Sequence, residues 1–128
     1  MMTVLAWNNA RQLIREAITV GTSLGRDGTS PRDIVEVDHQ CNRYDYGGER
    51  GFEVRIGVTA TLDIPWSMLE TCFTELVSVG YDSEAFGRHY PDQKEVHGCH
   101  VHVVGMMFVR AGLATSDGRT QARYTPIN

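Results

Sequence analysis

Long apolar runs are missing from this chain, and so is any excess of positive charge. No stretch approaches the ~20 apolar residues that a bilayer-spanning helix requires. The opening Met1-Met2-Thr3-Val4-Leu5-Ala6-Trp7 has no basic residue ahead of an apolar block too short for a secretory leader. Twelve basic against sixteen acidic side chains leave a net charge of −4, so no overall positive field draws the protein to nucleic acid or to an anionic membrane. Cysteine is scarce. Cys41, Cys72 and Cys99 form an odd, scattered set that suits reduced thiols in a cytoplasm better than a disulfide framework. Only 4 prolines, with 22% charged and 41% hydrophobic residues, exclude a disordered tail, a collagen-like repeat and a coiled coil. At 128 residues the chain is the size of one domain.

What is present is periodicity. From Trp7 to Val20 apolar residues recur at Trp7, Ala10, Leu13, Ile14, Ala17 and Ile18, one stripe of a helix, with Asn8 or Asn9 as cap and Gly21 as terminator. Thr22 to Pro31 is turn chemistry. From Phe52 to Leu62 every even position is apolar, which predicts a strand with one buried face. Ile34 to Tyr46 alternates less cleanly. A turn at Gly47-Gly48-Glu49-Arg50 would set Val37 opposite Ala60, Asp38 opposite Thr59 and Cys41 opposite Ile56. Asp63-Ile64-Pro65 opens a second helix to about Val79, striped by Trp66, Leu69, Phe73, Leu76 and Val77 and stopped by Gly80, with Ser67 and Glu70 as a candidate capping box. A short helical turn is expected around Ser83 to Gly87. A third strand is expected from about Val96 to Ala111. A fourth follows the Asp117-Gly118 turn, with Ala111 opposite Tyr124 and Leu113 opposite Ala122. The expectation is an α+β domain of αββαββ order: a four-stranded antiparallel sheet with two helices on one face.

Chemistry concentrates in His97-Gly98-Cys99-His100-Val101-His102, with His89 upstream. On a strand, His100 and His102 point the same way, about 7 Å apart. They could bind a metal if Glu53 or Asp38 supplied a third ligand. The blander reading is that they are hydrogen-bonded residues of a half-buried sheet face, and no metal or cofactor is assigned. His100-Val101-His102-Val103-Val104 resembles the end of the histidine-triad motif of small nucleotide hydrolases. That resemblance implies His100 as nucleophile and His102 as phosphate binder, although Gly98 stands in the first triad position. Two hairpins flanking helices, with Tyr44-Asp45-Tyr46 and Glu49-Arg50 at the first turn, are similar to the tunnelling fold of pterin enzymes. That family, however, has no long leading helix.

Other features read as structure. Gly47-Gly48-Glu49-Arg50-Gly51 lacks the lysine of a phosphate loop and reads as a turn. Cys72 lies beside an apolar stripe, and Arg110, Arg119 and Arg123 suit a charged strand edge as well as an anion patch. Tyr81, Phe86 and Tyr90, with Arg88 and His89, could rim a pocket. Val103 to Val109 is apolar on both faces of the expected strand. Self-association through Val104, Met106 and Phe108 is therefore expected. The functional expectation is a cytoplasmic homo-oligomer binding a small polar or anionic molecule on the sheet face at Asp38, Glu53, Arg55, His100 and His102. The alternatives are a histidine-dependent hydrolase using His100 and His102 and a purely structural or partner-binding module. Neither nucleic acid nor membrane is an expected partner.

Overall fold

The computed structural model describes residues 6–25, 32–119 and 122–127. The opening apolar block (1–5), most of the expected loop (26–31) and part of the expected fourth strand (120–121) lie outside them. Helix α1 (Trp7–Ala17) precedes β1 (Arg32–Cys41), β2 (Glu49–Ile56) and β3 (Ala60–Pro65), which pair antiparallel in the order β1-β2-β3. Four further helices follow: α2 (Trp66–Ser78), α3 (Ser83–His89), α4 (Pro91–Val96) and α5 (His100–Arg110). A ribbon of β4 (Ala114–Ser116) and β5 (Tyr124–Pro126) closes the fold. The chain is thus α+β with antiparallel sheets. In place of one four-stranded sheet there is a three-stranded sheet and a separate two-stranded ribbon.

The strand expected from Phe52 to Leu62 is in fact two strands. Gly57, at φ +67, turns the chain, and Val58 stands 89% exposed at the tip. Ile56 pairs with Ala60, Val54 with Leu62 and Phe52 with Ile64. Even numbers face even numbers, so the apolar alternation runs through the hairpin unbroken and hides it. Phe52, Val54, Leu62 and Ile64 are buried on that face, joined by Ile34 from β1. The β1–β2 register also differs from the expected one: Cys41 pairs with Glu49 and Arg32 with Ile56, the turn occupying 42–48. β1 is irregular between Ile34 and Glu36 and again between Glu36 and His39, with Asp38 at φ +51. These are bulges that shift which side chains share a face.

Helix α2 starts directly after β3. Its first turn is capped from another element: the Glu49 carboxylate accepts the Ser67 N–H at 2.6 Å and the Ser67 hydroxyl at 2.7 Å. A carboxylate at a helix N-terminus meets both the orphan donors and the positive end of the dipole. This replaces the Ser67–Glu70 box. Helix α1 is shorter than its stripe suggested, and Ala6 rather than an asparagine stands at its N-cap.

The largest correction is at 96–111, where helix α5 replaces the third strand. Val101, Val103, Val104, Met107 and Phe108 are all buried. A helix enclosed on most sides is apolar nearly all round, and over so short a run that pattern is indistinguishable from a two-sided strand. Val104 and Phe108 are therefore interior residues and Met106 is half-buried. The apolar run that motivated self-association is covered by the chain itself. Trp7 lies against Trp66 and Phe73, Phe73 against Phe108, Phe108 against Tyr81, and Tyr81 against Tyr124, with centroids 5.6–6.2 Å apart. The ribbon pairs Ser116 with Tyr124 and Ala114 with Pro126, not Ala111 with Tyr124 or Leu113 with Ala122. Tyr81 exchanges two backbone hydrogen bonds with Tyr124, at 2.9 and 2.8 Å, so β5 is stitched to the segment between α2 and α3.

Candidate functional site

β3 is an outer strand of its sheet, and a cavity of about 530 Å³ opens along it. Its walls are Arg43 and Tyr44 from the β1–β2 turn, Thr59 to Asp63 from β3 and its turn, and Val96, His97 and His100 from the α4–α5 corner. The volume falls among those of small-molecule sites. Arg43 spans the strand edge. Its guanidinium donates to the Thr61 carbonyl and, at 2.6 Å, to the Thr61 hydroxyl, and it stands 3.7 Å from an Asp63 oxygen. Two of its five N–H groups are thus engaged on Thr61, and the side chain remains about half exposed.

His100 is, with Asp63, one of the two buried polar residues of this wall. Its ring stacks on Phe86 at 5.9 Å and takes the edge of Tyr44 at 6.4 Å. Nδ1 lies 2.7 Å from the His97 carbonyl, which can only accept, so Nδ1 carries the proton. Burial holds the imidazole below its ordinary pKa, against the His97 carbonyl bond that favours the charged form. A neutral ring with Nδ1–H presents Nε2 as an acceptor.

Of the expected binding residues only His100 lines this cavity. His102 does not accompany it, because residues two apart on a helix project roughly 200° from each other. His102 lines a different hollow with Arg32, Cys99 and Ala122, its Nδ1 3.2 Å from the Tyr124 hydroxyl. The same-face pair that both the metal and the triad-like readings required is therefore absent. Asp38 borders a third hollow with Arg15 and Trp66. Glu53 and Arg55 lie on the outer face of β2, Glu53 between Glu36 and Asp63, Arg55 between Asp33 and Thr61. His89 binds Glu75 at 2.8 Å, and that bond, with Arg88 alongside, lowers the Glu75 pKa. Arg123 donates to Asp82 at 2.9 Å and to the Val79 carbonyl, so it ties elements together instead of forming an anion patch.

Three residues that matter escaped the alternation pattern. Asp63, only 4% exposed, accepts the backbone N–H groups of Asn42 at 3.2 Å and Arg43 at 3.4 Å and faces His39 Nε2 at 3.1 Å. His39 occupies a position that simple alternation assigns to the apolar face with Val35 and Val37; the bulges in β1 turn it outward. A histidine out of phase in a strand was the available signal, as was Arg43 directly after Asn42 in the turn. Burial disfavours the thiolates: burial first, then the Asp63 and Glu49 carboxylates, push Cys41 up to about 12, and burial also raises Cys72 and Cys99. No protein family, curated protein or solved structure is found to match the chain.

Proposed function

We propose that this protein binds a small polar molecule of the hydroxy-acid class in the cavity along β3, and does so in a reducing, cytoplasmic setting where its three cysteines stay thiols. The observation that carries the reading is that Arg43, a donor-only cation, and His100, whose Nε2 is acceptor-only, line one cavity together with the apolar Ala60, Leu62 and Val96. A carboxylate satisfies the remaining guanidinium N–H groups, a hydroxyl donates to Nε2, and a compact apolar body lies against these apolar side chains. Asp63 adds negative charge to the wall and so disfavours polyanions such as phosphate esters.

The test is ligand-observed NMR on the full chain, comparing lactate and mandelate with propionate and phenylacetate. The hydroxy acids are expected to bind more tightly than their parent acids, and Arg43→Gln to weaken them by about tenfold or more. Equal binding of both series, binding unaffected by Arg43→Gln in a folded variant, or no binding up to millimolar concentrations would overturn the proposal.

A further inference from the structure

On the outer face of the three-stranded sheet, three carboxylates stand in one cross-strand row. Glu36 pairs with Glu53, and Glu53 with Asp63. Like charges directly opposite on neighbouring strands repel, and a cation among them would relieve the row. The basic side chains nearby are only partly committed to it. Arg43 reaches Asp63 at 3.7 Å from the strand edge, and Arg55 sits one pair further along, between Asp33 and Thr61. The bulges around Asp38 bring His39 over the row instead.

The ring of His39 is bracketed by carboxylates, Glu36 at 3.1 Å from Nδ1 and Asp63 at 3.1 Å from Nε2. A neutral imidazole has one N–H to give. Asp63 is the fixed partner: it is nearly buried and held by the Asn42 and Arg43 backbone N–H groups. With Nε2–H given to Asp63, the Nδ1 lone pair faces an oxygen of Glu36, so either a second ring proton or a metal ion lies between them. One ligand atom each from Glu36, His39 and Glu53 lies within 4.8 Å of the others. Bonds of about 2.0–2.2 Å to a single ion are reached from there by small rotations of the two glutamates. Glu36 is 58% exposed and free to make such a movement.

We infer that His39 Nδ1, Glu36 and Glu53 form a divalent metal site, with Asp63 as the residue that orients the imidazole. One imidazole and two carboxylates suit Mn²⁺ or Zn²⁺ better than Ca²⁺ or Mg²⁺, and three protein ligands leave coordination positions open to solvent. A carboxylate on the far nitrogen is the usual partner of a ligating histidine, since it sets the tautomer and raises the basicity of the bound nitrogen. The site shares Asp63 with the wall of the β3 cavity, but its three ligands do not line that cavity and its assignment does not depend on the hydroxy-acid reading.

Mn²⁺ is the probe of choice, because its preference for carboxylate oxygens keeps it off the Cys99 thiol, which Zn²⁺ could take. Loss of the free-ion electron paramagnetic resonance signal is titrated on the full chain with no organic ligand present. One equivalent is expected to bind. His39→Ala and Glu53→Gln should abolish binding, and Asp63→Asn should weaken it by about 10–100-fold. Glu36→Gln, at an exposed position where folding is not at stake, is expected to weaken it as well. Undiminished binding by Glu36→Gln and Glu53→Gln would overturn the assignment. So would absence of Mn²⁺ and Zn²⁺ binding at millimolar concentrations with His39 held as the doubly protonated ring, which would mean that a proton alone bridges Nδ1 and Glu36.

Discussion

A single buried imidazole gives the molecule a pH dependence that can be assigned. His100 is 1% exposed and its pKa is lowered in the fold, chiefly by burial. The unfolded chain, with an ordinary value near 6.5, therefore binds the proton more readily. Stability is fully present above about pH 6.5 and declines as the pH falls from there toward the folded-state value. His100→Asn keeps an N–H for the His97 carbonyl but does not titrate. Thermal unfolding of the two proteins followed from about pH 7.5 to 5 should show the wild-type midpoint falling more steeply; parallel curves would refute the assignment. Gly105 is the second telling residue. A Cβ there would run into the ring of Tyr124, which lies directly over the α5 backbone. Gly105→Ala is expected to cost about 1–3 kcal/mol in urea denaturation as the ring is displaced. Neither role is visible in sequence. His100 reads as half of an aligned pair on a strand until the helix is known.

Among the elements, β2 and α2 are joined by one carboxylate. Removing it in Glu49→Ala leaves the Ser67 N–H at the start of α2 without its partner. The expected loss is about 1 kcal/mol, measured by chemical denaturation, with Glu49→Gln losing less because the amide oxygen still accepts. Elements were legible in proportion to how one-sided their burial is. The stripes of α1 and α2 and the alternation of β2 were plain, because each shows one face to the core and one to water. The hairpin at Gly57 was concealed by parity, since a three-residue loop returns even positions opposite even ones. Helix α5 was concealed by enclosure, since burial on nearly every side erases the period and leaves valine-rich composition to suggest a strand. The candidate site suffered accordingly. His100 was picked out, but its companions Arg43 and Asp63 come together only through the turn at 42–48, whose length the sequence pattern misplaced.

For the molecule as a whole, the two halves are joined by contacts distant in sequence. The Tyr81 hydroxyl donates to the Val101 carbonyl at 3.0 Å, its backbone is bridged to Tyr124, and the Tyr124 ring covers Gly105. Arg123 adds bonds to the end of α2 and the start of α3. Tyr124→Ala is accordingly expected to destabilise by about 3–5 kcal/mol, and to loosen α2, α3 and α5 together. Native-state hydrogen exchange would show this as a shared loss of protection in the three helices, whereas loss confined to the ribbon would refute it. That closure has a consequence for how the protein is made. The helices are all synthesised before the strand that completes their packing, so a nascent chain holds the groove at Gly105 open until residues 122–127 have emerged. A chain stalled or cut after Asp117 carries the sequence of every helix yet lacks the strand that closes them, and presents chaperones and proteases with an unfinished core.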